Sequence, residues 1–349
     1  MKILFLSSDL NAVGGIQKYN RGVIEVFRVH GEKLSIVEYR GNFLFVKLFF
    51  IARVLWRWLW FRPDFIFCGH INFSPICLLL NKVFCQSYII ATHGVEVWRI
   101  ESGLKRKALV RAFKILVVSR FTKRKIIEQF PEVGERIFFL PNFVDGDIFI
   151  IGEKNKVLLD RHNLSSDDFI LLTVNRFSSL EKQKGYDKVI KALPQVRRDV
   201  PDVKFLLVGE GDDLPRVKEL VHSLHLDDCV VFAGKVSDGE LVDYYNLCDL
   251  FVMPSKSEGF GIVFVEALAC GKPVIAGDTD ASSETLLDGE VGVLIDPDDV
   301  ASIAEAIVRF VRKEIPSRLT NGSFLRKKIL DVFGFDEFKK RVKILLQEL

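Results

Sequence analysis

The stretch 249–277 constrains the fold more than any other part of the chain. It contains a short apolar run, Leu250–Met253, a polar loop with glycines, Ser255–Gly261, and an apolar helix-forming segment, Val263–Ala269. The next strand-like segment is Lys272–Ala276. This order is typical of a strand, a loop, a helix and a parallel strand. In an open α/β sheet the loop lies at the carboxyl end of a strand, where ligands bind, and the first N–H groups of the helix favour anions.

Two glutamates mark this loop and its helix. Glu258 lies in the glycine turn, and Glu266 lies within the apolar helical segment VFVEALA. A carboxylate among apolar neighbours is rare unless it is paired or functional. A solvated face of the helix is the alternative interpretation. Gly259 and Gly261 indicate that the backbone approaches a partner closely here, although a plain tight turn also needs glycine.

The charge of the chain is unevenly distributed. Residues 1–150 contain 22 Lys/Arg and 12 Asp/Glu, whereas the remainder contains 27 and 34. A basic part of this kind suits nucleic acid, an anionic membrane or a phosphorylated substrate. The six cysteines show neither CxxC nor metal-ligand spacing, which predicts buried thiols in a cytosolic chain without a metal site. The first residues lead directly into a strand, so no signal peptide is expected.

Apolar runs alternate with amphipathic segments along most of the chain. This alternation predicts an α/β protein with two doubly wound, Rossmann-like domains. The polar, irregular segment 149–168 is the predicted linker. We therefore expect a first domain at 1–155, a second at 156–330, and a terminal helix at 331–349 that packs back on the first domain.

The most apolar stretch, Phe43–Phe61, leaves two interpretations open. It includes three Trp but also Lys47, Arg53 and Arg57, which argues against a helix that spans a membrane. It is either an amphipathic helix of the protein core or a helix in a membrane interface, where aromatic and basic residues meet. The basic region Lys105–Lys125 favours the second interpretation if the membrane is anionic.

Several groups that suit phosphates or sugars follow the predicted strands. Arg176 comes after the first strand of the second domain and Lys184 precedes its first helix, so the two cations suit a diphosphate. Solvated loop charges are the alternative. The GxG that begins at Gly209 does not complete GxGxxG, and no P-loop motif occurs. In the first domain, Gly14–Gly15 precedes a predicted helix and His93 follows a predicted strand.

In their order along the chain, these residues resemble the retaining glycosyltransferase family 4, also called group 1 glycosyltransferases. The most specific resemblance is the pair Glu258 and Glu266 within PSxSEGFGxVxxEALACGKPVIA. The resemblance implies the GT-B fold, in which two Rossmann-like domains face each other across a cleft. Two departures concern the donor side: Asn175 stands where glycine commonly precedes the arginine, and GDTDASSE at 277–284 stands where a glycine pair is common.

The resemblance also implies roles for individual residues. Arg176 and Lys184 would hold the donor diphosphate, and Glu266 would bind the ribose hydroxyls. Glu258 would bind the sugar hydroxyls, and His93 would contact the transferred sugar near its reacting carbon; with the two cations they form the implied catalytic set. Further implied positions along the nucleotide sugar are Gly14, Gly15, Gly209, Gly234, Lys235, Val236, Gly259, Phe260, Gly261, Ile262 and Val263.

The function implied by the resemblance is transfer of a sugar, with retention, from a nucleotide-diphosphate sugar to a glycan or lipid-linked acceptor. The expected setting is polysaccharide or lipopolysaccharide biosynthesis in the cytoplasm, peripheral on the inner face of the plasma membrane. No metal, no other cofactor and no nucleic acid are expected. Two alternatives stay open: a sugar-nucleotide epimerase of the same architecture, and a non-catalytic subunit that binds nucleotide sugars.

Overall fold

Short runs of buried apolar side chains form two parallel sheets in the chain. A computed structural model describes residues 1–12, 14–41 and 44–349, with Leu44 described by its backbone alone. The contacts divide the chain into unit 1, Met1–Asn142 with Asp336–Leu349, and unit 2, Phe143–Phe335. The predicted α/β class with two Rossmann-like sheets is confirmed.

Unit 1 contains a six-stranded sheet. Its strands are β1 (Lys2–Ser8), β2 (Lys33–Tyr39), β3 (Phe65–Cys68), β4 (Tyr88–Thr92), β5 (Lys114–Val117) and β6 (Ile137–Phe139). They pair in parallel in the order β2-β1-β3-β4-β5-β6. Its helices up to residue 142 are α1 (Gly15–Val29), α2 (Leu44–Phe61), α3 (Ser74–Phe84), α4 (Val95–Trp98), α5 (Gly103–Arg111) and α6 (Arg120–Gln129). Parallel strands require such crossovers, and the carboxyl ends of the strands therefore meet at one edge.

Unit 2 repeats this architecture. After α7 (Lys156–Arg161), its strands are β7 (Phe169–Val174), β8 (Val203–Val208), β9 (Val230–Gly234), β10 (Leu250–Met253), β11 (Val274–Gly277) and β12 (Val293–Ile295). They pair in parallel in the order β12-β11-β10-β7-β8-β9. Its other helices are α8 (Tyr186–Asp199), α9 (Leu214–Ser223), α10 (Asp238–Leu247), α11 (Ile262–Ala269), α12 (Ser282–Thr285), α13 (Val300–Val311) and α14 (Gly322–Phe333). A last helix, α15 (Phe335–Gln347), follows.

The boundaries between the units differ from those that the sequence pattern indicates. The first division falls after Asn142 rather than at 155/156, and the last one after Phe335 rather than at 330/331. Segment 143–155, predicted as the end of the first domain, belongs to unit 2, to which it is hydrogen-bonded. The N–H of Val144 donates to the Phe333 carbonyl at 2.8 Å, and Gly152 donates to the Asn246 side chain at 2.9 Å. Within unit 1, α15 contacts α1 through the Tyr19–Phe338 ring pair at 5.7 Å.

Helix α2 covers the sheet of unit 1 with only one narrow stripe. The predicted segment Phe43–Phe61 starts one residue earlier than α2, and Phe43 lies outside the described residues. Phe50 and Val54 are buried, whereas Phe45 is 84% exposed and Trp60 is 73% exposed. The interpretation as a core helix therefore holds only for the inner stripe. Within the part of the chain that the structure describes, no helix is long and apolar enough to cross a membrane.

Candidate active site

The loop between β10 and α11 is fixed in shape by its own backbone and by one hydroxyl. Gly261 has φ +84° just before α11, and a Cβ there would lie 2.4 Å from the Phe264 ring, so only glycine fits. The Thr285 hydroxyl donates to the Phe260 carbonyl, and the Phe260 ring packs at 5.1 Å against Phe333. The loop thus holds Glu258 in one position.

Lys184 and Glu258 form an ion pair inside unit 2. Their side chains are only 15% and 11% exposed, respectively. Lys184 reaches the loop because Gly185 takes φ +81°, and a Cβ at Gly185 would lie 2.1 Å from the Pro254 carbonyl oxygen. Two predicted site residues are therefore brought together, although the resemblance gives them separate partners, diphosphate and sugar.

Asp280 holds the backbone of the loop next to this pair, and sequence reasoning missed it. One carboxylate oxygen accepts the N–H of Glu258 at 2.6 Å, and the other accepts the N–H of Ser282 at 2.9 Å. Burial, and then the charge of Glu258, raises the pKa of Asp280 to about 6. The only signal for Asp280 in the sequence is its place in segment 277–284, where the family commonly has a glycine pair.

Glu266 is buried within α11, and Tyr245 is its hydrogen-bond partner. The carboxylate is 5% exposed, and the Tyr245 hydroxyl donates to it at 2.9 Å. Burial, and then the Glu266 charge, raises the pKa of Tyr245 well above its ordinary value. The solvated-face interpretation of Glu266 is wrong. Tyr245 could not be recognised from the sequence, because nothing in α10 sets it apart from its neighbour Tyr244.

Arg176 lies apart from this cluster. Its side chain is 73% exposed and pairs with Glu181 in the same loop. Among the residues that the structure describes, Glu258 pairs with Lys184 and forms no ion pair with Arg176. The structure therefore brings Lys184, but not Arg176, to Glu258.

Gly209 has a packing role that the sequence did not predict. A Cβ at Gly209 would lie 1.8 Å from the Asn175 carbonyl oxygen, and its φ is +134°. The loops after β7 and β8 therefore run in close contact. The N–H of Gly209 donates to the Gly234 carbonyl at 2.8 Å. Gly234, another predicted site residue, therefore lies beside the loop that follows β8. Lys235 is exposed and Val236 half-buried.

The remaining predicted site residues of unit 2 lie around the N-terminus of α11. Gly259 is buried, and Ile262 and Val263 are half-buried residues of the first helical turn. Their backbone N–H groups have no partner within a helix, which makes this turn suitable for an anion.

In unit 1, His93 is held in one tautomer. Its Nε2 lies 2.9 Å from the Gly69 carbonyl oxygen, which can only accept, so Nε2 carries the proton. Nδ1 is therefore the acceptor; it is shielded from solvent and has no partner among the described residues. Burial lowers the pKa of His93, which keeps the ring neutral. The backbone N–H of His93 donates to Glu96 at 2.5 Å.

Other polar groups surround His93 at the carboxyl ends of β1, β3 and β4. The Tyr19 ring meets His93 edge-on at 5.1 Å, and its buried hydroxyl has no partner in the described part of the chain. His70 stacks on His93 at 6.0 Å, and burial, followed by the neighbouring His93, lowers its pKa to about 4. Gly14 and Gly15 precede and begin α1, the helix that carries Tyr19.

Comparisons with known proteins agree with this architecture. Residues 154–323 match the family model described as glycosyl transferases group 1. A GDP-mannose-dependent alpha-(1-6)-phosphatidylinositol monomannoside mannosyltransferase of Mycolicibacterium smegmatis is 32% identical over 249 residues, which cover 67% of this chain and 64% of that protein. The match thus spans less than two thirds of the relative's length.

Two solved structures show the same fold over the whole chain. Sucrose-phosphate synthase from Thermosynechococcus elongatus has a TM-score of 0.85 at 21% identity, and covers 99% of this chain and 98% of its own. Anabaena Alr3699/HepE, solved in complex with UDP, has a TM-score of 0.81 at 20% identity and full coverage of both chains. We conclude that the chain has the GT-B fold and that its residues 154–323 match the group 1 glycosyl transferases.

Proposed function

We propose that this protein is a retaining glycosyltransferase of family 4 that moves a sugar from a nucleotide-diphosphate sugar to a glycan or lipid-linked acceptor. The observation that carries the proposal is the Lys184–Glu258 pair, supported by Asp280 at the head of α11. It joins a cation, a carboxylate and a helix N-terminus, which suit a diphosphate and a sugar bound side by side. The names of the mycobacterial relative and the UDP-bound Anabaena structure agree with a nucleotide-sugar donor.

In the proposed reaction the bond between the anomeric carbon and the diphosphate oxygen breaks. The acceptor oxygen bonds to the same carbon on the same face, and its proton passes to the leaving diphosphate. Negative charge therefore grows on the diphosphate, where Lys184, the first turn of α11 and Arg176 would meet it. Arg176 is exposed and pairs with Glu181 of its own loop, so it can turn toward the donor without leaving a buried charge.

The carboxylates would select hydroxyl groups. One oxygen of Glu258 pairs with Lys184, which leaves the other free to accept from the sugar. Glu266 would accept from the ribose, with Tyr245 fixing its orientation. The neutral His93, with Nδ1 as acceptor, would accept a hydroxyl of the transferred sugar. Neutrality suits this role, because a protonated ring could not accept.

We propose further that the acceptor belongs to cell-surface polysaccharide or lipopolysaccharide synthesis and is met at the inner face of an anionic membrane. The basic character of residues 1–150 supports this setting. Phosphatidylinositol in the name of the mycobacterial relative is consistent with a lipid-linked acceptor.

A thermal-shift screen against nucleotide sugars tests the donor assignment. A bound donor at a hundredfold excess over its dissociation constant stabilises the fold by about 2.7 kcal/mol. Lys184→Met should lose this shift. Lys256→Met is the matched control, because Lys256 lies in the Glu258 loop but pairs with Asp298 at 2.6 Å. If no nucleotide sugar shifts the wild type, the donor assignment is wrong.

Turnover then tests the reaction. Glu258→Gln should keep nucleotide binding and lose most sugar transfer, because the amide cannot reproduce the charge that pairs with Lys184. Unchanged turnover would remove Glu258 from the mechanism. Release of a sugar-nucleotide isomer without any acceptor would instead indicate the epimerase.

A further inference from the structure

The outer side of α2 is an exposed apolar face. Six of its large apolar side chains are more than half exposed: Phe45, Leu48, Phe49, Trp56, Leu59 and Trp60. Because residues three, four and seven apart share one face of a helix, these six lie on the same side, within about a third of the circumference. On the surface of a soluble monomeric protein, so many aromatic and branched side chains seldom lie together without a binding partner.

The charges of α2 lie away from this face. Lys47, Arg53 and Arg57 follow the edges of the buried stripe rather than the exposed arc. The Arg53 guanidinium lies 5.7 Å from the Phe49 ring centre and that of Arg57 lies 5.2 Å from Trp56. Residues 40–95 contain six Lys/Arg and a single acidic residue, Asp64. An apolar face bordered by cations, with almost no carboxylates, is complementary to an anionic surface with an apolar interior.

The neighbouring helices continue the surface. Helices α2, α3 and α5 contribute to one core cluster, so they pack on the same face of the sheet. Trp58 of α2 meets Phe84 of α3 at 4.4 Å, and Leu79, Val83 and Phe84 of α3 are at least half exposed. The apolar area is therefore wider than one helix.

Helix α5, in the same helix layer as α2 and α3, contributes exposed basic side chains. Its Ala108 and Leu109 are buried, whereas Arg106, Lys107 and Arg111 are exposed. These three basic residues line a shallow cavity of about 290 Å³, together with others that include Glu132. A cavity of this kind suits a phosphate of a lipid headgroup.

We infer that the outer faces of α2, α3 and α5 form a docking surface for an anionic lipid bilayer. The apolar side chains of α2 and α3 would enter the interface, with α2 parallel to the membrane, and the cations of α5 would contact headgroups. The inference rests on the proposed function in one respect: a docked enzyme could reach the proposed lipid-linked acceptor in the membrane. It deepens that proposal by naming the surface.

The main test is co-sedimentation with vesicles of phosphatidylcholine alone or mixed with phosphatidylglycerol, at low and high salt. The double variant Trp56→Ser/Trp60→Ser should bind the anionic vesicles at least about tenfold more weakly, because two interfacial aromatics are lost. Control variants are Val29→Ser in unit 1 and Leu180→Ser in unit 2, whose side chains are 75% and 88% exposed outside the surface. Both should bind as the wild type does.

A charge variant tests the headgroup contact separately. Lys107→Gln/Arg111→Gln should weaken binding by about fivefold per removed charge and reduce the salt dependence. Arg198→Gln, an exposed charge on α8 of unit 2, should change neither quantity. Vesicle binding that both double variants leave unchanged would overturn the inference.

Two further measurements identify other outcomes. If the wild type is a dimer that Trp56→Ser/Trp60→Ser makes monomeric, and it does not bind vesicles, a second copy covers this face and the inference is wrong. The donor-induced thermal shift should be the same in the wild type and both double variants. Loss of vesicle binding with an intact donor shift therefore reports on docking, whereas absence of any donor shift reports on the proposed function.

Discussion

The carboxylate of Asp280 accepts a 2.6 Å hydrogen bond from the backbone N–H of Glu258, whose own carboxylate pairs with Lys184. Two carboxyl groups are thus buried close together beside Lys184. Burial, and next the charge of Glu258, disfavours the ionised form of Asp280 and raises its pKa to about 6.

This pKa predicts how the stability of unit 2 depends on pH. Between its ordinary value of 3.8 and about 6, folded Asp280 keeps a proton that the unfolded chain releases. The free energy of unfolding therefore falls as pH rises through this window, by up to about 3 kcal/mol, and is level above it. Urea unfolding at pH 4 to 7 should show this fall in the wild type relative to Asp280→Asn. A difference between the two proteins that is independent of pH would contradict the prediction.

Breaking the Lys184–Glu258 pair from one side should destabilise the protein by about 3–5 kcal/mol, because the remaining charge is buried and uncompensated. Lys184→Met should show this loss in chemical unfolding, and Lys184→Met/Glu258→Gln should recover part of it. The control is Arg312→Met, which breaks an exposed pair with Asp199 and should cost about 1 kcal/mol or less. Additive effects of the two changes at the buried pair would show that it is not coupled.

The tautomer of His93 can be observed directly. We expect nitrogen NMR to show the proton on Nε2 and a ring that is more than half neutral at pH 6.5, its ordinary midpoint, because burial lowers its pKa. The signal is assigned by its disappearance in His93→Gln, and the exposed His225 supplies an internal reference. A proton on Nδ1 would exclude the proposed acceptor role.

Gly209 should tolerate no side chain. Gly209→Ala places a Cβ 1.8 Å from the Asn175 carbonyl oxygen at a positive φ, so we expect a loss of at least about 3 kcal/mol in the free energy of unfolding. Gly239→Ala is the matched control, because it lies in α10 with nothing within 4 Å of the added Cβ. That change should be neutral or stabilise by up to about 1 kcal/mol. If the two substitutions changed the free energy of unfolding equally, the loops after β7 and β8 could move apart to accept the Cβ, and the prediction would be wrong.

Much of the candidate site in unit 2 could be predicted from local pattern. The strand, loop and helix around Glu258 follow from the apolar periodicity of the segment. The burial of Glu266 follows from the position of its carboxylate among apolar helical residues. Both signals can be read from residues that are neighbours in the sequence. Asp280 and Tyr245 could not be predicted, since their significance depends on which backbone N–H or carboxylate they meet across the fold. Their spacing from Glu258 and Glu266 carries no signal of its own.

The sequence by itself determined the two α/β units, the alternation of strands and helices, and the positions of the main charged residues, because hydrophobic periodicity and turn residues act locally. Only the tertiary structure decided that Lys184 pairs with Glu258, that segment 143–155 belongs to unit 2, and that most of α2 faces outward. Each of these depends on which surfaces the folded chain brings together. Periodicity shows that a helix has two faces, but burial against a particular sheet decides which of them remains exposed.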